Sequence, residues 1–225
     1  MRVSEIFQSI QGEGEFAGTS AVFVRTTGCN LRCWFCDADY TSWHPQGDVC
    51  DWTALVEQVQ GYDCKHVVLT GGEPLLQPDA VPLTHALHEL GLFVTIETAA
   101  TIDRPVAADL MSISPKLSNS TPTEPPVRDR HERDRQKLDV VQRFTADYAY
   151  QFKFVIDTPQ DVDDVEAYLA HLPHVPRDRV FLMPQARSAE ELAAKADWVA
   201  SAAEAHRCRF SPRLHLELFG NVRGH

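Results

Sequence analysis

Cys29, Cys33 and Cys36 lie within eight residues in the order CxxxCxxC, inside Gly28-Cys29-Asn30-Leu31-Arg32-Cys33-Trp34-Phe35-Cys36-Asp37. Thiolates so close on one loop can converge on a single metal centre, because soft sulfur donors select iron–sulfur clusters, zinc or copper(I). Three donors is the informative number. A cluster that only transfers electrons, like a structural zinc ion, is closed by four protein ligands, so three cysteines leave one metal position for something else. A zinc ion closed by His44 or Cys50 is the competing arrangement. Cys50, Cys64 and Cys208 are scattered and read as ordinary thiols rather than a disulfide framework. Gly71-Gly72-Glu73-Pro74 forms a second polar cluster, and Arg25 and Lys116 are cations suited to a carboxylate. Each also has a plainer meaning: a strand-to-helix turn for the glycines, an ion pair for Arg25, chance for Ser114-Pro115-Lys116.

The elements that must position these groups alternate between strand and helix. Short apolar runs at 21–25, 66–70, 92–96, 110–114, 152–156 and 180–183 predict six strands. Helical spacing predicts helices at 52–59 with Asp51 as N-cap, at 79–90 before Gly91, from near Asp134, at 161–171 and at 189–207. Residues 117–135 exchange apolar periodicity for proline, serine and charge and read as a solvated, partly mobile loop. The tail at 213–225 reads as irregular. Strands alternating with helices imply a parallel sheet, whose ligands bind at the carboxyl ends of the strands. Arg25 with the cysteine loop, Gly71-Gly72-Glu73, Glu97-Thr98, Ser114-Pro115-Lys116 and Met183-Pro184-Gln185 each follow a strand, which places all of them on one face.

The chain has 225 residues, 44% of them apolar, enough for one domain with a real core. A formal net charge of -11 argues against a nucleic-acid-binding surface or a polybasic membrane patch. No apolar run reaches the roughly 20 residues of a membrane span, and residues 1–12 lack a signal peptide's basic start and apolar centre. The expectation is a cytoplasmic protein.

CxxxCxxC with Phe35 before the third cysteine, followed by Gly71-Gly72-Glu73-Pro74, resembles the signature of the radical S-adenosylmethionine superfamily. That resemblance implies an incomplete parallel β/α barrel of about six strands and a 4Fe–4S cluster on Cys29, Cys33 and Cys36. Its open iron would chelate S-adenosylmethionine, whose C–S cleavage yields a 5'-deoxyadenosyl radical. Backbone carbonyls of the GGEP segment and Glu73 would bind the methionyl amino group.

A narrower resemblance begins earlier. Ser4-Glu5-Ile6-Phe7-Gln8-Ser9-Ile10-Gln11-Gly12-Glu13-Gly14, then Gly18, Phe23-Val24-Arg25 and Gly28-Cys29-Asn30, is similar to the N-terminal signature of the 7-carboxy-7-deazaguanine synthase family of queuosine and 7-deazapurine biosynthesis. It extends through Thr41-Ser42-Trp43, Glu97-Thr98, Ser114-Pro115-Lys116 and the C-terminal segment, and is weakest at 118–150. It implies one radical domain over 1–225, with a variable insert at 118–150 and a substrate-site tail at 211–225. The implied activity is that of a carbon–nitrogen lyase converting 6-carboxy-5,6,7,8-tetrahydropterin to 7-carboxy-7-deazaguanine, with ring contraction and loss of ammonia. Carried over by position, Ile10, Gln11, Gly12, Arg25 and Thr98 would hold the pterin. Glu13 would accept from its donor edge or shape the turn between its flanking glycines, and His215 and His225 are further candidates. Phe35, Cys36, Asp37, Gly71, Gly72, Glu73, Ala100, Ser114, Pro115, Lys116, Met183, Pro184 and Gln185 would surround S-adenosylmethionine. The family also implies a homodimer and a flavodoxin-type reductant.

Two positions depart from the family pattern. Where a Thr or Ser hydroxyl would ligate Mg2+ stands Ala38, and a methyl group cannot ligate magnesium; Asp37, Asp39 or water would replace it, or the metal is dispensable. Where the Glu-Thr-x-Gly pattern places glycine stands Ala100. The alternative activities are another radical enzyme, such as an activase making a glycyl radical in a partner protein, and a non-catalytic zinc or iron–sulfur scaffold. The Ser9-Ile10-Gln11-Gly12-Glu13-Gly14 segment speaks against the activase.

Overall fold

The computed structural model describes residues 1–224; His225, a candidate for the substrate site, lies outside them. Nine strands form one sheet: β1 (Arg2–Ile10), β2 (Ser20–Thr26), β3 (Asp48–Val49), β4 (His66–Gly71), β5 (Phe93–Thr98), β6 (Leu110–Ile113), β7 (Tyr150–Ile156), β8 (Val180–Pro184) and β9 (Arg209–Phe210). Their order is β3-β1-β2-β4-β5-β6-β7-β8-β9, and every neighbouring pair from β2 to β9 is parallel. The strands do not close on themselves, so the sheet is an open, partial barrel. The six expected strands are its centre. The chain adds β9 at one edge and β1 with β3 at the other, where β1 runs antiparallel to β2 and sets Glu5 opposite Arg25. Alternation in β1 is blurred by Glu5, Gln8 and Ser9 and by a register shift between Val3 and Glu5, so its pattern does not announce a strand.

The central strands are apolar on both faces because helices cover them: Val67, Val68 and Leu69 of β4 are all fully buried. The crossovers are α2 (Trp52–Gln60), α3 (Ala80–Glu89), α5 (Leu138–Asp147), α6 (Pro159–Leu169) and α7 (Ala189–Ala205), which follow α1 (Asp39–Ser42) and, except for α2 and α3, also α4 (Val127–Asp134). Their ends follow from local chemistry. Asp51 accepts the Thr53 N–H to cap α2, Thr158 and Asp161 form a capping box around Pro159 in α6, and Gly91 takes φ +72° after α3. Phe144 of α5 packs into a core that also holds Phe152 and Phe154, which stack at 5.9 Å.

Two expectations need correction. Residues 117–135 are not an open loop: α4 occupies their second half, Leu117, Ser120 and His131 are buried, and the next helix begins at Leu138, after α4 ends at Asp134. The tail is not irregular throughout, since α8 (Leu214–Phe219) forms there and buries Leu216. Among the described residues no helix is long and apolar enough to cross a membrane.

Candidate active site

Five strand ends converge as the sequence predicts. Arg25 and the cysteine loop leave β2, Gly71 and Gly72 end β4, Thr98 ends β5, Ser114 and Lys116 follow β6, and Met183 and Gln185 lie at the end of β8. All line one cavity of about 230 Å³, which Ile10, Gln11, Gly12 and Glu13 enter from the N-terminal side and His215 from the tail. Cys29, Cys33, Phe35, Cys36, Asp37 and Ala38 form another part of the wall. Glu73, Ala100, Pro115 and Pro184 do not reach it and support it from behind.

The cysteine loop is fixed by the segment that sequence reading left mobile. Trp34 donates through its backbone to Ser120 and through Nε1 to the Asn119 carbonyl at 2.7 Å, and Trp43 Nε1 donates to the Cys33 carbonyl at 2.9 Å. Buried without a metal, the Cys29 and Cys33 thiols are pushed up to about 12, and burial raises Cys36 as well. Among the described residues, neither the three cysteines nor any set of three including His44 or Cys50 brings its donor atoms within 4.8 Å of one another, whereas tetrahedral Zn–S bonds of about 2.3 Å require sulfurs about 3.8 Å apart. Gly72 lets the chain lie close behind the cysteine loop, since a Cβ there would stand 2.3 Å from the Gly28 carbonyl.

His131 secures this arrangement through a chain of one-way hydrogen bonds. The Arg32 backbone N–H donates to His131 Nδ1 at 3.1 Å, His131 Nε2 faces Ser120 Oγ at 2.9 Å, and Ser120 donates to the Leu117 carbonyl at 2.6 Å. Nδ1 is therefore an acceptor and the ring neutral, and burial lowers its pKa from 6.5 to about 4. The unfolded chain takes up this proton near pH 6.5 and the folded chain only near 4, so stability is complete above 6.5 and lost as pH falls through that window. The loss should reach about 3 kcal/mol. In His131→Phe the part of the slope due to His131 should be lost, with stability at neutral pH down by roughly 2 kcal/mol for the polar groups left unpaired. Urea denaturation of both proteins across the window measures this.

Three residues given ligand roles by the resemblance also tie neighbouring strand ends together. The fully buried Glu73 accepts from Thr98 Oγ1 (2.8 Å), Leu75 N (3.1 Å) and Ala99 N (2.9 Å), tying the end of β4 to the end of β5, and burial raises its pKa. Thr98 lines the cavity, but its hydroxyl donates to Glu73 and accepts from Ala100 N at 2.9 Å. Ala100 adopts φ +53°, the left-handed region where glycine is at ease, which explains a glycine at this position in the family pattern.

A buried charge network crosses the cavity floor. Lys153 of β7, its side chain 3% exposed, donates to Glu13 Oε2 at 2.8 Å and to Glu97 Oε1 at 2.7 Å. Arg213, 6% exposed, donates from Nε to Glu13 Oε1 at 3.2 Å, from Nη2 to Asp37 and from Nη1 to the Ala186 carbonyl. Gln11 and Thr70 add hydrogen bonds to Glu97 at 3.3 and 2.9 Å. Burial alone would push the Glu13 carboxyl up, but Lys153 and Arg213 overcome it and hold it far below the usual range; Asp37 is likewise lowered against burial by Arg213. Burial lowers His215, keeping it neutral at pH 7. The glycines around Glu13 make room for this packing: a Cβ on Gly12 would meet His215 Nδ1 at 2.1 Å, and one on Gly14 would meet Gln151 Nε2 at 2.5 Å.

The radical SAM superfamily model matches residues 23–119, the span from β2 through the cysteine loop to the end of β6 and the Ser114-Pro115-Lys116 segment. A 7-carboxy-7-deazaguanine synthase of Halobacterium salinarum is 43% identical over 98% of this chain and 91% of its own length. The chain belongs to the 7-carboxy-7-deazaguanine synthase family. The synthase of Rhodopirellula baltica is 42% identical over 99% of this chain and 88% of its own length. The crystal structure of QueE from Escherichia coli shares the fold, with a TM-score of 0.72 and 24% identity over 93% of this chain and 92% of that one.

As a family member the chain carries the radical SAM donor set for a 4Fe–4S cluster and S-adenosylmethionine, and its cysteine spacing fits them. The divalent cation implied at position 38 does not fit. Ala38 lines the cavity without offering an oxygen, Asp39 is exposed and outside the lining, and the lining carboxylates Glu13 and Asp37 are held by Arg213 and Lys153. Lys153, Tyr40 and Arg213 are lining residues that the sequence does not point to. The signal available for Lys153 was a lone lysine inside the apolar strand Tyr150–Ile156, a residue type almost never buried unless paired.

Proposed function

We propose that this chain converts 6-carboxy-5,6,7,8-tetrahydropterin to 7-carboxy-7-deazaguanine, with ring contraction and loss of ammonia. The observation that carries the reading is that the cysteine loop, the Ile10-Gln11-Gly12-Glu13 segment, Arg25 and His215 share the wall of one cavity. A 4Fe–4S cluster on Cys29, Cys33 and Cys36 with S-adenosylmethionine bound would supply the carbon radical that starts such a rearrangement.

The chain's own groups would bind and orient the substrate. Arg25 is held from behind, its Nε 2.8 Å from Glu5, which also accepts from Tyr40 at 2.7 Å, and its guanidinium lies over the Phe7 ring. Among the described residues its terminal nitrogens have no hydrogen-bond partner, which leaves the fork for the pterin carboxylate. Glu13, kept ionised, would accept N–H groups of the pyrimidine edge, with Gln11 and His215 beside it. Lys116, whose Nζ donates to Ser114 at 2.7 Å, would face the carboxylate of S-adenosylmethionine, and the Gly71 and Gly72 backbone its amino group. A flavodoxin-type electron donor and a homodimer belong to the same reading and rest on the family resemblance; a cytoplasmic location rests on the sequence's lack of a membrane-length apolar run and of a signal-peptide pattern. The glycyl-radical alternative would need a mouth wide enough for a partner backbone, whereas this cavity is lined by polar side chains at small-molecule scale.

Anaerobic turnover of carboxytetrahydropterin tests the reading; cleavage of S-adenosylmethionine without any deazaguanine product would remove it. In Arg25→Ala, pterin affinity should fall by about ten- to a hundredfold, with the cluster's visible absorbance unchanged. Calorimetric titration of the reconstituted protein measures this, and unaltered affinity takes Arg25 out of the site.

A further inference from the structure

We propose that Arg213, as a fixed guanidinium bound to both Glu13 and Asp37, stands in the place a divalent cation would take among these carboxylates beside position 38, so that substrate binds without Mg2+. The inference rests on the pterin reading above and deepens it.

Three observations carry it. Position 38 offers a methyl group in place of an oxygen. Among the described residues the one set of candidate ligands gathered within 4.8 Å is Glu13, Asp37 and His215, and both of its carboxylates already accept from Arg213. Arg213 is not a mobile counter-ion that a metal could push aside: it is buried, and Nε, Nη1 and Nη2 each hold a different partner on a different segment. Displacing it would strand a buried guanidinium and open the contact between the tail and the cysteine loop.

Charge balance gives the same answer. On the cavity wall Arg25, Lys116, Lys153 and Arg213 already outnumber Glu13, Asp37 and Glu97, and Arg25 is also paired with Glu5 behind the wall. A dication would add to a wall whose buried carboxylates already have their cations. An octahedral Mg2+, which needs near-ideal oxygen geometry at about 2.0–2.1 Å, would also have to take Glu13 and Asp37 from hydrogen bonds already made.

The test uses the reconstituted protein with S-adenosylmethionine, anaerobic and without reductant, titrated with 6-carboxytetrahydropterin in EDTA or in Mg2+. Affinity should agree within about twofold between the two. Mn2+ added as a paramagnetic probe should keep its free solution signal in the presence of protein and pterin. Arg213→Gln, checked for fold by circular dichroism, should bind pterin about tenfold more weakly or worse. Combined with Ala38→Thr it should recover affinity on adding Mg2+. Tenfold tighter pterin binding by the wild-type protein in Mg2+, or loss of the free Mn2+ signal, overturns the proposal. These arms need no variant and stand even if Arg213→Gln fails to fold. If the protein cleaves S-adenosylmethionine under a low-potential reductant but binds no pterin in either buffer, the functional reading fails and takes this inference with it.

Discussion

Lys153→Met should destabilise the protein by about 3–5 kcal/mol, the cost of leaving buried carboxylates without their cation. Lys153 is the shared partner of Glu13 and Glu97, and its ammonium stays charged despite burial because those two carboxylates outweigh the loss of water. Without it, among the described residues, Glu13 retains only the Arg213 ion pair, and Glu97 only the neutral donors Gln11 and Thr70. The loss should be nearly independent of salt, since the pair is shielded from counter-ions. Neutralising the partners supplies the control: in Lys153→Met with Glu13→Gln and Glu97→Gln, most of the stability should return while pterin binding does not. Urea denaturation together with calorimetry separates the two effects. Full stability of Lys153→Met alone would mean that the network is not a buried one.

Cys33→Ala should remove the cluster, its visible absorbance and all turnover. Cys33 is 8% exposed and its carbonyl accepts from Trp43, a bond that the substitution leaves intact, so the loop itself should persist. The cost to the metal-free protein is about 1 kcal/mol, the scale of one small buried group. Iron content and absorbance after anaerobic reconstitution read the first effect, and thermal unfolding of the metal-free protein reads the second. Retention of the absorbance in Cys33→Ala would mean that this thiol is not a ligand.

The parallel centre of the fold was legible because its strands are short apolar runs punctuated by capped helices, a pattern with few competing meanings. Residues at strand ends were legible for the same reason, since topology alone brings them to one face. What was missed shares a different physical character. β1 pairs antiparallel at an edge and carries mixed polarity, so neither alternation nor continuous hydrophobicity marks it. α4 has strongly polar composition and one buried residue, His131, which accepts from the Arg32 backbone 99 residues away and faces the Ser120 hydroxyl. Glu73 and Thr98 take their ligand roles from the family resemblance, and the bonds that join their polar atoms to each other and to nearby N–H groups cross between two strand ends, which the sequence does not display. Lys153 and Arg213 gain their meaning only from partners 140 and 200 residues away, a pairing that no local window contains.

The contact between Glu13 and Arg213 spans 200 residues, and Leu214 N–H closes on the Gly12 carbonyl beside it. Chains are made from the amino terminus, and contacts between distant segments form last. The cavity is therefore completed late: Glu13 and Asp37 gain the Arg213 guanidinium only when segments 176 and 200 residues apart have met.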